Sequence, residues 1–195
     1  MKDPKLLAYA QAGGAAAFKV NCVQCHGAGA AGGKGYPNLN DDDWLWGGTP
    51  DAIYTTLKHG IRYTDDPETR DSQMPSFGLD GILTPEQIEQ VANYVVSLSG
   101  ETADAGKAEA GKQIFAENCA ACHADDGKGN RDFGAPNLTD KLWLYGGTID
   151  DVKAQLHKPS MGVMPGWTKR LDDAEIKELA IYVHSLGGGE APATQ

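Results

Sequence analysis

The sequence predicts an all-α protein of two tandem domains, residues 1–100 and 101–195. Three observations predict it. The pentapeptide Cys22-Val-Gln-Cys25-His26 returns as Cys119-Ala-Ala-Cys122-His123, and the two copies use all four cysteines. The flanking sequence repeats with them, in two units of a usual domain size. Each unit closes on apolar residues spaced 3.6 apart, the period of a helix with one buried face.

The elements follow in the same order in both repeats. Ala- and Lys-rich stretches, with Gly14 and Phe18 answering Gly111 and Phe115, read as helices running into the pentapeptide. Pro37-Asn38-Leu39 and Pro136-Asn137-Leu138 come next, then Trp44-Leu45-Trp46-Gly47-Gly48-Thr49 and Trp143-Leu144-Tyr145-Gly146-Gly147-Thr148. Residues 50–59 and 149–158 read as helices, with Ile53 and Leu57 matching Val152 and Leu156. Each repeat then reaches a Met-Pro dipeptide, Met74-Pro75 or Met164-Pro165. The closing helix of the first repeat begins at Thr84-Pro85-Glu86-Gln87, a capping box with proline at the first helical position. Asp172 and Glu175 hold the matching places. Ile88, Val91, Val95 and Leu98 form one apolar stripe, and Ile176, Leu179, Val183 and Leu186 the other. Small polar residues 99–108 place the domain boundary between them.

Cys-x-x-Cys-His is the attachment signature of c-type haem. Two intervening residues make one helical turn, so both sulfurs reach one porphyrin edge and the next histidine turns to the iron. The sequence therefore predicts two covalent haems c, on Cys22 and Cys25 and on Cys119 and Cys122, with His26 and His123 as iron ligands. A methionine thioether is the usual sixth ligand of electron-carrying cytochromes c, raising the potential and filling the last site. Met74 is the candidate of the first unit, and Met164, rather than Met161, that of the second, because a proline follows it as in Met74-Pro75.

Weaker assignments surround these. Pro37 and Pro136 offer a carbonyl to the free imidazole nitrogen of His26 and His123, as partners outside the coordination sphere often do. Trp44, Trp46, Trp143 and Tyr145 either wall the pocket or bond the haem propionates. Arg62 either neutralises a propionate or is solvated. His59 is either a reserve iron ligand or a surface group, and the charged run 63–70 has no counterpart in the second repeat.

The net charge of −10 argues against nucleic acid as a partner and allows a basic protein surface. No targeting segment and no apolar run of spanning length is present.

With these residues in place, the chain resembles the dihaem subunit, CcoP or FixP, of cbb(3)-type cytochrome c oxidases. The resemblance lies in residues 31–48, in His59-Gly60-Ile61-Arg62, in residues 134–145, in Gly162-Val163-Met164-Pro165 and in the tail 182–190. It implies two class I cytochrome c folds on the periplasmic side of a bacterial inner membrane, with a membrane helix missing at the N-terminus. It also implies a donor cytochrome c, and the catalytic and monohaem subunits of the oxidase as partners. Electrons would be relayed through this chain, with oxygen reduced elsewhere. A free dihaem shuttle shares this chemistry without the anchor. A dihaem peroxidase needs an iron with an exchangeable sixth site, which a methionine for each haem opposes. A zinc module needs its Cys pairs about 15–20 residues apart, far closer than these.

Overall fold

The structure is a computed structural model and describes residues 3–191. Eight helices follow one another among these residues: α1 (Pro4–Asn21), α2 (Val23–His26), α3 (Pro50–His59), α4 (Pro85–Leu98), α5 (Ala105–Asn118), α6 (Ala120–His123), α7 (Ile149–His157) and α8 (Asp173–His184). Between them lie loops with isolated β-bridges only, among the described residues. No helix among these residues is long and apolar enough to cross a membrane.

Helix starts follow from local chemistry. Asp3 accepts from the Lys5 and Leu6 N–H groups with Pro4 behind it, and Thr49 accepts from Ala52 with Pro50 behind it. Thr84 with Gln87, Thr148 with Asp151 and Asp172 with Glu175 form reciprocal capping boxes. The apolar stripes of α4 and α8 are the cores: Val91 and Leu179 are fully enclosed.

The two compact units do not coincide with the two sequence repeats. One unit consists of residues 1–72 with 162–195, and the other of residues 73–161. In the first, α1 packs along α8 and α3 lies against α8; in the second, α4 packs along both α5 and α7. The first half of each repeat is thus completed by the second half of the other.

Connection length explains the pairing. Only residues 99–104 separate α4 from α5, and helices joined so briefly become antiparallel neighbours. Asn93, buried on α4, ties the turn by accepting from the Asp104 N–H at 2.9 Å. With α4 taken by α5, α1 is left to α8. Glycines at equivalent positions permit both close crossings. A Cβ on Gly14 would stand 2.1 Å from the Glu178 carbonyl oxygen, and one on Gly111 would stand 2.2 Å from that of Gln90. Beside them Phe18 meets Tyr182 at 5.5 Å between ring centres, and Phe115 meets Tyr94 at 5.3 Å.

Candidate haem sites

Each pentapeptide forms a turn of helix continuous with the helix before it. The Cys22 N–H still bonds the Phe18 carbonyl of α1, and the His26 N–H closes on the Cys22 carbonyl at 2.9 Å. Cys119 and His123 repeat both bonds with Phe115 and Cys119 as acceptors. One cysteine of each pair faces inward, Cys22 and Cys119 being buried, while Cys25 is exposed and Cys122 half-buried. Burial pushes the thiols of Cys22 and Cys119 up to about 11, with the neighbouring cysteine adding to it.

The histidines are held from behind. His26 Nδ1 lies 3.1 Å from the Pro37 carbonyl oxygen, and His123 Nδ1 lies 3.1 Å from that of Pro136. A carbonyl only accepts, so Nδ1 carries the proton and Nε2 is the ring nitrogen left with a lone pair for a metal. Burial favours the neutral imidazole in both, opposed in part by that carbonyl. Gly32 and Gly129 let the proline loop come so close. A Cβ on either would stand within 2.4 Å of the carbonyl of Tyr36 or Ala135, and both have positive φ.

The methionines exchange places relative to the sequence expectation. Met164 packs against the cluster that contains Phe18, Cys22, Ile53, Leu57 and Trp167, beside Leu39 and Trp44. Met74 packs against the cluster that contains Phe115, Cys119, Leu138, Val152 and Leu156, beside Trp143. Met164 therefore lies in the unit of Cys22, and Met74 in that of Cys119. The backbone enforces this. Met164 and Ile61 bond each other in both directions, and Trp167 donates to the Leu57 carbonyl at 2.9 Å. After Met74, Gly78 and Leu79 donate in the same way to Leu156 and His157 of α7. Met161 ends the other unit and makes no such pairing with α3.

Trp44 is a wall rather than a donor into the pocket, since its indole N–H goes to the Gly188 carbonyl at 2.6 Å. Its ring lies on Gly48, and that of Trp143 lies on Gly147 in the same way. Arg62 is half-buried and held by backbone carbonyls. Its Nε donates to the Gly162 carbonyl at 2.7 Å and its Nη1 to the Ser72 carbonyl at 3.1 Å, which ties together the two segments where the chain passes between units. His59 is taken on both sides: Nδ1 stands 3.1 Å from Asp66 and Nε2 3.2 Å from Glu68. The charged run 63–70 thus closes over the end of α3. Arg70, which the sequence left without a role, stacks on Trp46 with its guanidinium carbon 5.2 Å from the ring centre. Only its place in the inserted run hinted at this.

Each unit therefore gathers two free thiols, a histidine with its outer nitrogen fixed and a thioether, around apolar walls. That donor set fits a covalently attached, six-coordinate haem.

Comparison with known proteins agrees. Residues 11–99 match the family described as Cytochrome c, and residues 106–183 match the family described as Cytochrome C oxidase, cbb3-type, subunit III. The chain is 58% identical over 188 residues to the FixP subunit of Sinorhizobium medicae, covering 96% of this chain and 64% of that one. It is equally 58% identical to the CcoP subunit of Cereibacter sphaeroides, covering 96% and 65%. The CcoP subunit of an Azospirillum species is 53% identical, with 97% and 66% covered. The chain thus spans slightly under two thirds of the length of these relatives.

Proposed function

From its membership of the CcoP/FixP family of cbb3-type oxidase subunits, we propose that the chain relays electrons from a donor cytochrome c, through two covalently bound haems c, to the catalytic subunit of the oxidase. When bound, each haem supplies an iron that gains and loses one electron. The chain's own residues do the rest. Cys22 with Cys25, and Cys119 with Cys122, fix the two porphyrins. His26 with Met164, and His123 with Met74, would hold the two irons, which would leave no open coordination site for oxygen or peroxide. Pro37 and Pro136 hold the imidazoles in one tautomer, and the walls of Trp44 and Trp143 keep water out.

The observation that carries this reading is the meeting, in each unit, of one Cys-x-x-Cys-His turn with one Met-Pro loop. On this reading the chain works on the periplasmic face of the inner membrane. A net charge of −10 suits a basic donor.

Three measurements test the proposal. The denatured protein should weigh two haems more than the chain, and low-temperature magnetic resonance should give two low-spin irons with histidine and methionine ligands. After rapid reduction by a basic cytochrome, the rate should fall as salt is added. A single haem, or an iron open on one side in the resting protein, overturns the relay.

A further inference from the structure

Two buried side-chain donors find no partner among the described residues, Arg70 Nε and Trp167 Nε1. Both lie in the unit of Cys22, His26 and Met164. A buried N–H left without an acceptor is destabilising, so two in one unit point to an acceptor that the polypeptide does not supply.

Trp167 is 8% exposed and belongs to the cluster of Cys22, against which Met164 packs. It stands three residues after Met164, where Phe77 stands after Met74 in the other unit, and Phe77 is equally buried. A phenyl ring fills that place adequately. The indole adds one donor, which no acceptor among the described residues meets.

Arg70 is held with care. Its backbone N–H reaches the Gly60 carbonyl at 3.4 Å and its carbonyl accepts from Arg62 at 2.8 Å. Nη1 donates to the Trp46 carbonyl at 3.1 Å, Nη2 to that of Ala52 at 3.3 Å, and the guanidinium lies over the Trp46 ring. No carboxylate of the described residues pairs with it, and burial alone disfavours its charge. The second repeat has no equivalent, because residues 158–164 run directly to Met164.

We propose that Arg70 and Trp167 bind the propionates of the haem held by Cys22, Cys25 and His26, and that this charge lifts its potential above that of the other haem. A cation beside the propionates stabilises the electron added to the iron. The unit built around Phe77 lacks both donors. The inference rests on the two-haem reading above, and goes beyond it by giving the two sites different potentials for a structural reason.

The test uses the full chain with both haems in place. Trp167→Phe, which removes the N–H and keeps a ring, is compared with Arg70→Gln and Arg70→Lys. Redox titration should show one of two potentials lowered in Trp167→Phe and Arg70→Gln, with Arg70→Lys closer to the parent. Resonance Raman should show the propionate bending mode of one haem shifted, which a merely structural role would not do. Met74→His marks the other haem by displacing its methionine band, so the responding haem should be the one that keeps its band. A parent protein lacking a haem or a methionine band overturns the two-haem reading itself. Two intact haems whose potentials and propionate modes stay fixed in Trp167→Phe and Arg70→Gln overturn this assignment alone, as does a response at the other haem.

Discussion

Met164 and Ile61 exchange both backbone hydrogen bonds, at 2.9 and 3.0 Å, although they come from different repeats. This antiparallel bridge sets the loop of Met164 against the end of α3, within the cluster that includes Cys22. The expected consequence is crossed ligation, in which losing one methionine affects the haem on the cysteine pair of the other repeat.

Crossed ligation is tested in a chain whose second pair is removed, Cys119→Ala with Cys122→Ala, leaving one haem on Cys22 and Cys25. In that chain Met164→Ala should abolish the methionine–iron charge-transfer band and lower the potential. Met74→Ala should leave both as they were. The opposite pattern restores pairing within each repeat.

The close crossings of α1 with α8 and of α5 with α4 should be sensitive to a single methyl group. Gly14→Ala puts a Cβ into the Glu178 carbonyl, and Gly111→Ala puts one into that of Gln90. Overpacking of this kind costs about 1–3 kcal/mol. Heating, followed through each methionine band, should show Gly14→Ala weakening the unit of Met164 and Gly111→Ala that of Met74. Equal stability in either variant means that the helices separate without loss.

Most of this was legible in the sequence, and one relationship was not. The pentapeptides, Met-Pro loops, proline carbonyls and capping boxes are local patterns, each readable within a few residues. The partnership of the halves is not local. The stripe Ile88, Val91, Val95 and the stripe Ile176, Leu179, Val183 are alike enough for either to serve either haem. The six residues 99–104 carried the missing signal, since so short a turn makes α4 and α5 neighbours. Arg62 and Arg70 could not be told apart by composition, because their roles depend on which carbonyls the folded loop presents.

Ala124 follows His123 with φ 63° and ψ 160°, where Gly27 follows His26 with φ 76° and ψ 159°. That region is open essentially to glycine, and a side chain there costs about 1–3 kcal/mol. Ala124→Gly should therefore raise the melting temperature of the second haem unit, and Gly27→Ala should lower that of the first. A lower melting point for Ala124→Gly shows that the methyl group is needed by its surroundings.

Glu89 on α4 pairs with Lys107 of α5 and Lys153 of α7. These lysines, Lys153 first, hold its carboxyl at about 2 against an ordinary 4.5. A carboxylate depressed on folding contributes stability that is full above its unfolded value and is lost as pH falls through its folded one. Acid unfolding of the Met74 unit should therefore steepen between pH 4.5 and 2, and Glu89→Gln should flatten that slope. An unchanged slope assigns acid sensitivity to other carboxylates.

The C-terminal tail folds back over the loop that walls the first haem. Glu190 accepts from the Gly48 N–H at 2.7 Å through its carboxylate and donates its own N–H to the Gly48 carbonyl at 2.9 Å. His184 Nε2 lies 2.7 Å from the Glu190 carbonyl, and Gly188 receives the Trp44 indole. The tail lies so flat that a Cβ on Gly188 would stand 1.5 Å from the Asp41 carbonyl oxygen. Gly188→Ala should lift the tail and free the Trp44 indole, whereas Glu190→Gln, which keeps the backbone bonds, should do so only partly. Each hydrogen bond lost is worth about 0.5–1.5 kcal/mol. Hydrogen exchange at Gly48 and Glu190 should quicken strongly in Gly188→Ala and slightly in Glu190→Gln, while the Met74 unit keeps its protection. Unchanged exchange in Gly188→Ala would mean that the tail does not hold this wall in solution.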